Sequence, residues 1–484
     1  MLYLELYYTN MIARNIEKKK IQRILKSPKS EFLAVTGRRR VGKTFLIDEL
    51  LGQNYCFNLT GIQNGSTAMQ LMNFSIKLAE YKGEELKATP TNWQMAFLEL
   101  KTYLKTLPKK QKQVIFIDEL PWVYTSRSKF IQLLAHLWND YLSKEKHFIL
   151  VICGSATSWI SKKIINDTGG LHNRVTELIH LSPFTLSETK MFLTSKGLHL
   201  TNQEIVKIYM TLGGIPFYLE AIQKGEGFVS SIERLCFSPT GLLKNEYTNL
   251  YQALFNNADL HLAIVAVLAK SKEGLTQKEI LKKTGISHNG SYQRAIEELL
   301  ISNFINEIRP FGKKKRGSYY RLIDEFSVFY YRFIKPNKKY TKGMWQQLSN
   351  GQSFKIWAGY AFESLCHKHI DEIKKAIGIQ AVYTEISSLN ISSSKTQIGF
   401  QIDLLIDRKD DCINLCEIKF HTGPFTIDKR YYQQLTRKRQ AFVDYSKTSK
   451  QVFLTLICNH GLNDNMYANE IVEVSIDLED LFDK

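Results

Sequence analysis

Between residues 32 and 181, short apolar runs alternate with longer amphipathic stretches, the pattern left by a parallel sheet whose crossover helices cover both faces. Five strands are predicted, at 32–36, 54–59, 113–118, 147–153 and 175–181. From Ser182 to about Gly225 the period turns helical, broken by Gly213, Gly214 and Pro216, which predicts a small helical lid closing a first domain over 11–235. From Leu260 to Leu322 the order is three helices and a two-stranded hairpin, that of a winged helix-turn-helix, within a second domain over 236–340. Thr276 and Glu279 form a capping box that opens its second helix, and Ser291 to Leu300 is its recognition helix. Past an aromatic connector at 324–336, a helix beginning near Ser353 and a further α/β pattern fill a third domain over 341–484.

Composition narrows the class. The 484 residues exceed what one core organises, and 44% hydrophobic with 23% charged residues excludes a mainly disordered chain. The balance of 65 Lys and Arg against 47 Asp and Glu leaves +18, which points to a polyanionic partner, nucleic acid ahead of an acidic membrane surface. Lysine-rich usage in A/T-rich genomes produces the same excess, so charge alone does not choose. Seven cysteines without repeated spacing predict a reducing compartment, the cytoplasm. No apolar run approaches the ~18 residues that span a bilayer, and the apolar stretch 1–8, interrupted by Glu5, is a poor signal peptide.

The chemistry begins at Gly37-Arg38-Arg39-Arg40-Val41-Gly42-Lys43-Thr44, a GxxxxGK[ST] loop placed after a predicted strand and opening a helix that continues with Phe45. Backbone N–H groups of such a loop turn toward a β-phosphate and the helix N-terminus adds partial positive charge. Lys43 is predicted to reach the β and γ phosphates, and Thr44 to place its hydroxyl on Mg²⁺. A second part lies on the apolar run Val114-Ile115-Phe116-Ile117, which ends in Asp118 and Glu119. Asp118 is predicted to hold the metal's outer shell and Glu119 to polarise the attacking water, so the cofactors are ATP and Mg²⁺. Ser155, after the fourth strand, either senses the γ-phosphate or simply ends the strand; Arg174, before the fifth, is an arginine finger or a solvated surface residue.

These stretches, with Asn173-Arg174 and Gly213-Gly-Ile-Pro216, resemble the archaeal-type P-loop ATPases related to AAA and signal-transduction (STAND) ATPases. The resemblance implies that Pro216 lies at the nucleotide, and the connector 320–336 resembles the family's link from winged helix to C-terminal domain. Ser155 departs from the asparagine of typical AAA+ sensors. The family also implies a restriction-endonuclease-like, PD-(D/E)xK, domain at the C-terminus. Asp403 sits in the apolar run 402–406, and Glu417-Ile418-Lys419 in the next, so the two strands pair as a hairpin with Glu417 and Lys419 on one face. Asp403 and Glu417 are predicted to share a divalent metal, Lys419 to position or deprotonate a water, and Glu363 to add a third carboxylate. An unpaired carboxylate among Ile, Leu and Cys costs several kcal/mol unless a cation offsets it, whereas charged strand ends in solvent carry no such demand. Cys412 with Cys416, and Cys366-His367-Lys368-His369, lack the second paired set that zinc spacing requires.

The fold class read from the sequence is therefore α/β: a P-loop NTPase sheet with helical lid, an α+β winged helix, and a C-terminal α/β restriction-endonuclease-like domain. On DNA, Arg294 would read bases while Lys313, Lys314, Lys315 and Arg316 in the wing sit on phosphates. Two functions follow: an ATP-regulated, DNA-acting, metal-dependent nuclease, or a nucleotide-switched regulator or defence sensor whose C-terminal domain does not cleave. A homo-oligomer is compatible with both.

Overall fold

The computed structural model describes residues 12–482 apart from 87, 126, 156, 166–168, 256, 313–317, 338, 340, 392 and 394–398. Two compact units result, residues 1–183 with 253–256, and residues 184–252 with 257–484. The division falls at 183/184, ahead of the boundary expected near 235, so the expected lid helices group with the second unit.

The first unit is built on strands β1 (Glu31–Thr36), β2 (Tyr55–Thr60), β3 (Gln113–Asp118), β4 (Phe148–Gly154) and β5 (Glu177–His180). All pair in parallel, in the order β2-β3-β4-β1-β5. Strands β1, β3 and β4 are buried at every position, as continuous apolar runs require when helices cover both faces. One face carries an aromatic-rich core in which Phe74, Trp93, Phe97 and Phe130 pack ring against ring. Because the strands are parallel, the C-terminal ends of β1, β2, β3 and β4 lie along one edge, bringing Gly37, Gly61, Asp118 and Ser155 to the same side.

The second unit begins with helices Leu186–Ser195, Asn202–Leu212 and Pro216–Glu220. Helices Ala258–Leu268, Gln277–Thr284 and Gly290–Ile301 follow, with a small antiparallel sheet of β6 (Leu275–Thr276), β7 (Ile305–Ile308) and β8 (Tyr319–Leu322) in the order β6-β8-β7. The capping box at Thr276 and Glu279 is present. The last part has helix Gln352–Lys368 ahead of β9 (Thr384–Ile391), β10 (Phe400–Arg408) and β11 (Cys412–Lys419), which pair antiparallel in chain order. Helix Lys429–Ser446 then crosses to β12 (Gln451–Cys458), parallel to β11, and β13 (Val474–Ile476) closes the edge.

Long-range contacts cross position 235. Glu233, in helix Phe228–Cys236, accepts hydrogen bonds from Gly343 N (3.0 Å) and Trp345 N (2.7 Å), satisfying the first turn of helix Met344–Asn350. Phe228, Phe237, Phe329, Phe333, Trp345 and Phe354 form one aromatic cluster across this junction. His369, 2% exposed, ties in a further segment: its Nδ1 donates to Leu365 O (3.0 Å) and its Nε2 accepts from Leu186 N (3.2 Å).

Burial, reinforced by the nearby Lys368 charge, pushes the His369 imidazole down to about 4, so it is neutral when folded. A depressed histidine contributes stability that is present in full above its unfolded value of 6.5 and is lost as the pH falls from there through about 4. Between pH 7.5 and pH 5 this residue is expected to cost the fold about 2 kcal/mol. Urea denaturation at the two pH values checks it: His369→Gln should lose about that much less than the wild type, and equal losses would contradict the assignment.

Among the described residues no helix is long and apolar enough to cross a membrane. All seven cysteines are free thiols, each buried except the half-buried Cys412.

Candidate active site

Strand β1 delivers the chain into a turn that only glycine permits at its start. Gly37 has φ 144°, and a Cβ there would lie 2.3 Å from the carbonyl oxygen of Leu181. Arg40 (φ 73°) and Gly42 (φ 87°) are also left-handed, and helix Lys43–Leu51 starts directly after them. Lys43 is 6% exposed and donates from Nζ to Arg38 O at 3.0 Å, across the loop. Arg38 is buried, Val41 is core, Arg39 is half-buried, and Phe45 is 56% exposed. Arg14, ahead of the first helix and 4% exposed, donates to Val41 O at 3.2 Å and braces the loop from behind. Its isolated position, 27 residues upstream, carries no motif signal.

The two motif parts meet. Thr44 Oγ1 donates to Asp118 Oδ2 at 2.8 Å, and Asp118 Oδ1 accepts from Glu119 N at 2.9 Å. Glu119 is itself left-handed, φ 45° and ψ 49°, a conformation that costs a non-glycine residue about 1 kcal/mol or more. The surroundings hold it there. Gly61 N donates to Asp118 O at 3.0 Å, and a Cβ on Gly61 would stand 2.7 Å from Glu119 O, so only glycine admits this backbone approach. Ser155 donates from Oγ to both oxygens of the Glu119 carboxylate (2.9 and 3.0 Å) and from its backbone N at 3.2 Å. Sequence reading offered Ser155 as a γ-phosphate sensor or strand terminator; the structure adds a contact neither anticipated, with Glu119. Arg174 lies exposed in a turn before β5. Pro216 opens helix Pro216–Glu220 in the second unit.

A second group of ionisable residues lies in the second unit, one step beyond the Leu404–Cys416 pair of the β10–β11 ladder. Asp403 Oδ2 accepts from Ile418 N at 3.1 Å, and its other oxygen from Gln401 Nε2 at 3.3 Å. Burial, then the charges of Glu417 and Glu363, raise its carboxyl to about 7. Glu417 Oε1 accepts from Lys419 Nζ (2.7 Å) and Tyr431 OH (2.8 Å), and Oε2 from Lys438 Nζ (2.5 Å). Burial disfavours its charge, but Lys438 and Lys419 outweigh that and hold Glu417 ionised below the ordinary carboxylate range. Glu363, on helix Gln352–Lys368, pairs with Arg321 of β8 at 3.0 Å.

Among the described residues no three His, Cys, Asp or Glu side chains are grouped to hold one metal ion. The expected third carboxylate, Glu363, is thus engaged by an arginine. Tyr431 and Lys438 were missed by sequence reading, although they lie seven apart with buried Leu435 and Phe442 in helix Lys429–Ser446, a spacing that puts all four on one face. Arg294 is exposed and folds back on its own helix, donating to Gly290 O and Ser291 Oγ at 3.3 Å. Lys313, Lys314, Lys315 and Arg316 lie outside the described residues.

An uncharacterized protein of Methanocaldococcus jannaschii is 25% identical over 443 residues, covering 90% of this chain and 94% of the relative. Among solved structures, the Walker-type ATPase of Pyrococcus abyssi is similar at a TM-score of 0.49 and 18% identity, over 67% of this chain and 96% of that one. The ORC2 protein of Aeropyrum pernix is similar at 0.42 and 12%, over 71% and 98%. Residues 11–222 match the family described as an ATPase domain predominantly from Archaea, and this stretch of the chain is an ATPase domain of that archaeal type.

Proposed function

We propose that the chain hydrolyses Mg-ATP in its first unit and uses nucleotide state to control a DNA-directed, metal-dependent phosphodiesterase in its second. In this reading Lys43, already turned across the loop 37–44, exchanges its bond to Arg38 O for phosphate oxygens. The Thr44–Asp118 pair, an oxygen-only donor set, fits a hard octahedral cation such as Mg²⁺, which would neutralise phosphate charge there. Glu119 orients and accepts a proton from the attacking water, with Ser155 aiming its carboxylate.

The observation that carries the second half is the Asp403 carboxyl set beside Glu417 and Lys419 on paired strands. Negative charge concentrated in a buried place is what a divalent cation relieves, and Asp403 and Glu417 offer it oxygen ligands. Such an ion polarises a phosphodiester; Lys419, two residues from Glu417 on the same face, holds the water. The order of two helices, three strands, a helix and a strand from 352 to 458 supports a restriction-endonuclease-like reading, and the three helices with the β6-β8-β7 sheet support a winged helix whose exposed Arg294 faces nucleic acid. Incubation of supercoiled plasmid with the purified chain, with and without ATP and with Mg²⁺ or Mn²⁺, tests this. Metal-dependent nicking that responds to ATP is expected; salt-sensitive DNA binding and ATP turnover with no cleavage under either ion would reject it.

One observation favours the second reading, a nucleotide-switched binding protein without cleavage. Glu417 is matched by two lysines and Glu363 by Arg321, so their charge is balanced without a metal.

A further inference from the structure

The second unit contains a cavity of about 730 Å³ that neither site above uses, within the size range of small-molecule pockets. Its walls come from the end of helix Ala258–Leu268, from β8 and the connector after it, and from helix Gln352–Lys368. Among the described residues lining it, Lys270, Lys272, Arg321, Arg332 and Lys335 stand against the one carboxylate of Glu325. Glu325 is already matched by Lys368 (2.5 Å), which lies outside the lining, so the wall is strongly positive. Arg321 is held by Glu363, and Lys272 and Lys335 sit 4.8 and 4.5 Å over the rings of Tyr360 and Tyr331. Lys270 and Arg332 are exposed at this wall and have no acidic partner among the described residues.

The pocket is also aromatic. Tyr331, Trp357 and Tyr360 line it. Positive charge at the rim and flat rings in the wall together suit a small anion with a planar body. We propose that this cavity binds a nucleoside phosphate, with its phosphate at Lys270 and Arg332 and its base against the tyrosine and tryptophan rings. The assignment stands independently of whether the C-terminal carboxylates cleave DNA. Such a ligand is either a free nucleotide or the 5′-phosphorylated end of a strand, and the two are separable.

The test uses the full chain carrying Lys43→Ala, which silences the P-loop, and isothermal titration with AMP, a 5′-phosphorylated deoxyadenylyl dinucleotide, and inorganic phosphate. Saturable binding of AMP or the dinucleotide, tighter than that of phosphate, is expected. Adding Lys270→Glu and Arg332→Glu, both at exposed positions, should weaken it about tenfold or more while the melting temperature holds. Binding tighter for the dinucleotide assigns the strand end, and binding at least as tight for AMP assigns the free nucleotide. No binding of either probe, binding no tighter than phosphate, or binding indifferent to the two charge reversals would each overturn the proposal.

Discussion

Glu119→Gln is expected to lower ATP turnover about 10²- to 10⁴-fold while ATP still binds, because the amide keeps the shape but cannot accept the water's proton. The geometry around this residue is what makes the expectation strong. Its backbone is held in a left-handed conformation by the close approach of Gly61, and its carboxylate is gripped by the hydroxyl and the backbone N–H of Ser155. This strained backbone stands beside the Thr44–Asp118 pair. A steady-state phosphate-release assay beside nucleotide titration separates the two effects. Wild-type turnover in the variant would remove Glu119 from the reaction.

In the second unit, Asp403→Ala and Lys419→Ala are each expected to cut metal-dependent plasmid nicking about 100-fold or more, leaving ATP turnover unchanged. The first change removes the carboxyl beside Glu417, and the second removes the ammonium bonded to Glu417. Lys438→Met makes the informative companion. Lys438 lies on the crossing helix and neutralises Glu417 at 2.5 Å, so a metal that displaces it should bind more tightly in its absence. If the network is only a structural ion pair, the lysine change destabilises the fold and cleavage is absent throughout. Initial nicking rates against Mn²⁺ concentration decide, and rates indifferent to both Asp403→Ala and Lys419→Ala would dismiss the site.

How much of this was legible in the sequence follows from the range of the interactions. The parallel strands were legible because residues such as Val114 to Ile117 and Ile149 to Ile152 form unbroken apolar runs, which only a sheet covered on both faces accepts. The loop at 37–44 and the pair 118–119 were legible because their chemistry is confined to consecutive residues. Arg14 bracing Val41 and Gly61 making room for Glu119 were not, since each depends on chain segments brought together only by the sheet. The same holds for the ion pair between Arg321 and Glu363, which joins β8 to helix Gln352–Lys368. Contacts across the boundary expected near 235 were equally out of reach of local reading: Glu233 bonds to Trp345 and Phe237 stacks on it, more than a hundred residues on.

The account rests on triphosphate being held by the loop at 37–44. Isothermal titration of Mg-ATP into the wild type and into Lys43→Ala measures that directly. The ammonium that now spans the loop to Arg38 O should supply about 3 kcal/mol of charge-assisted bonding to phosphate, so the variant should bind at least about 100-fold more weakly. Equal affinity in the two proteins would contradict the account.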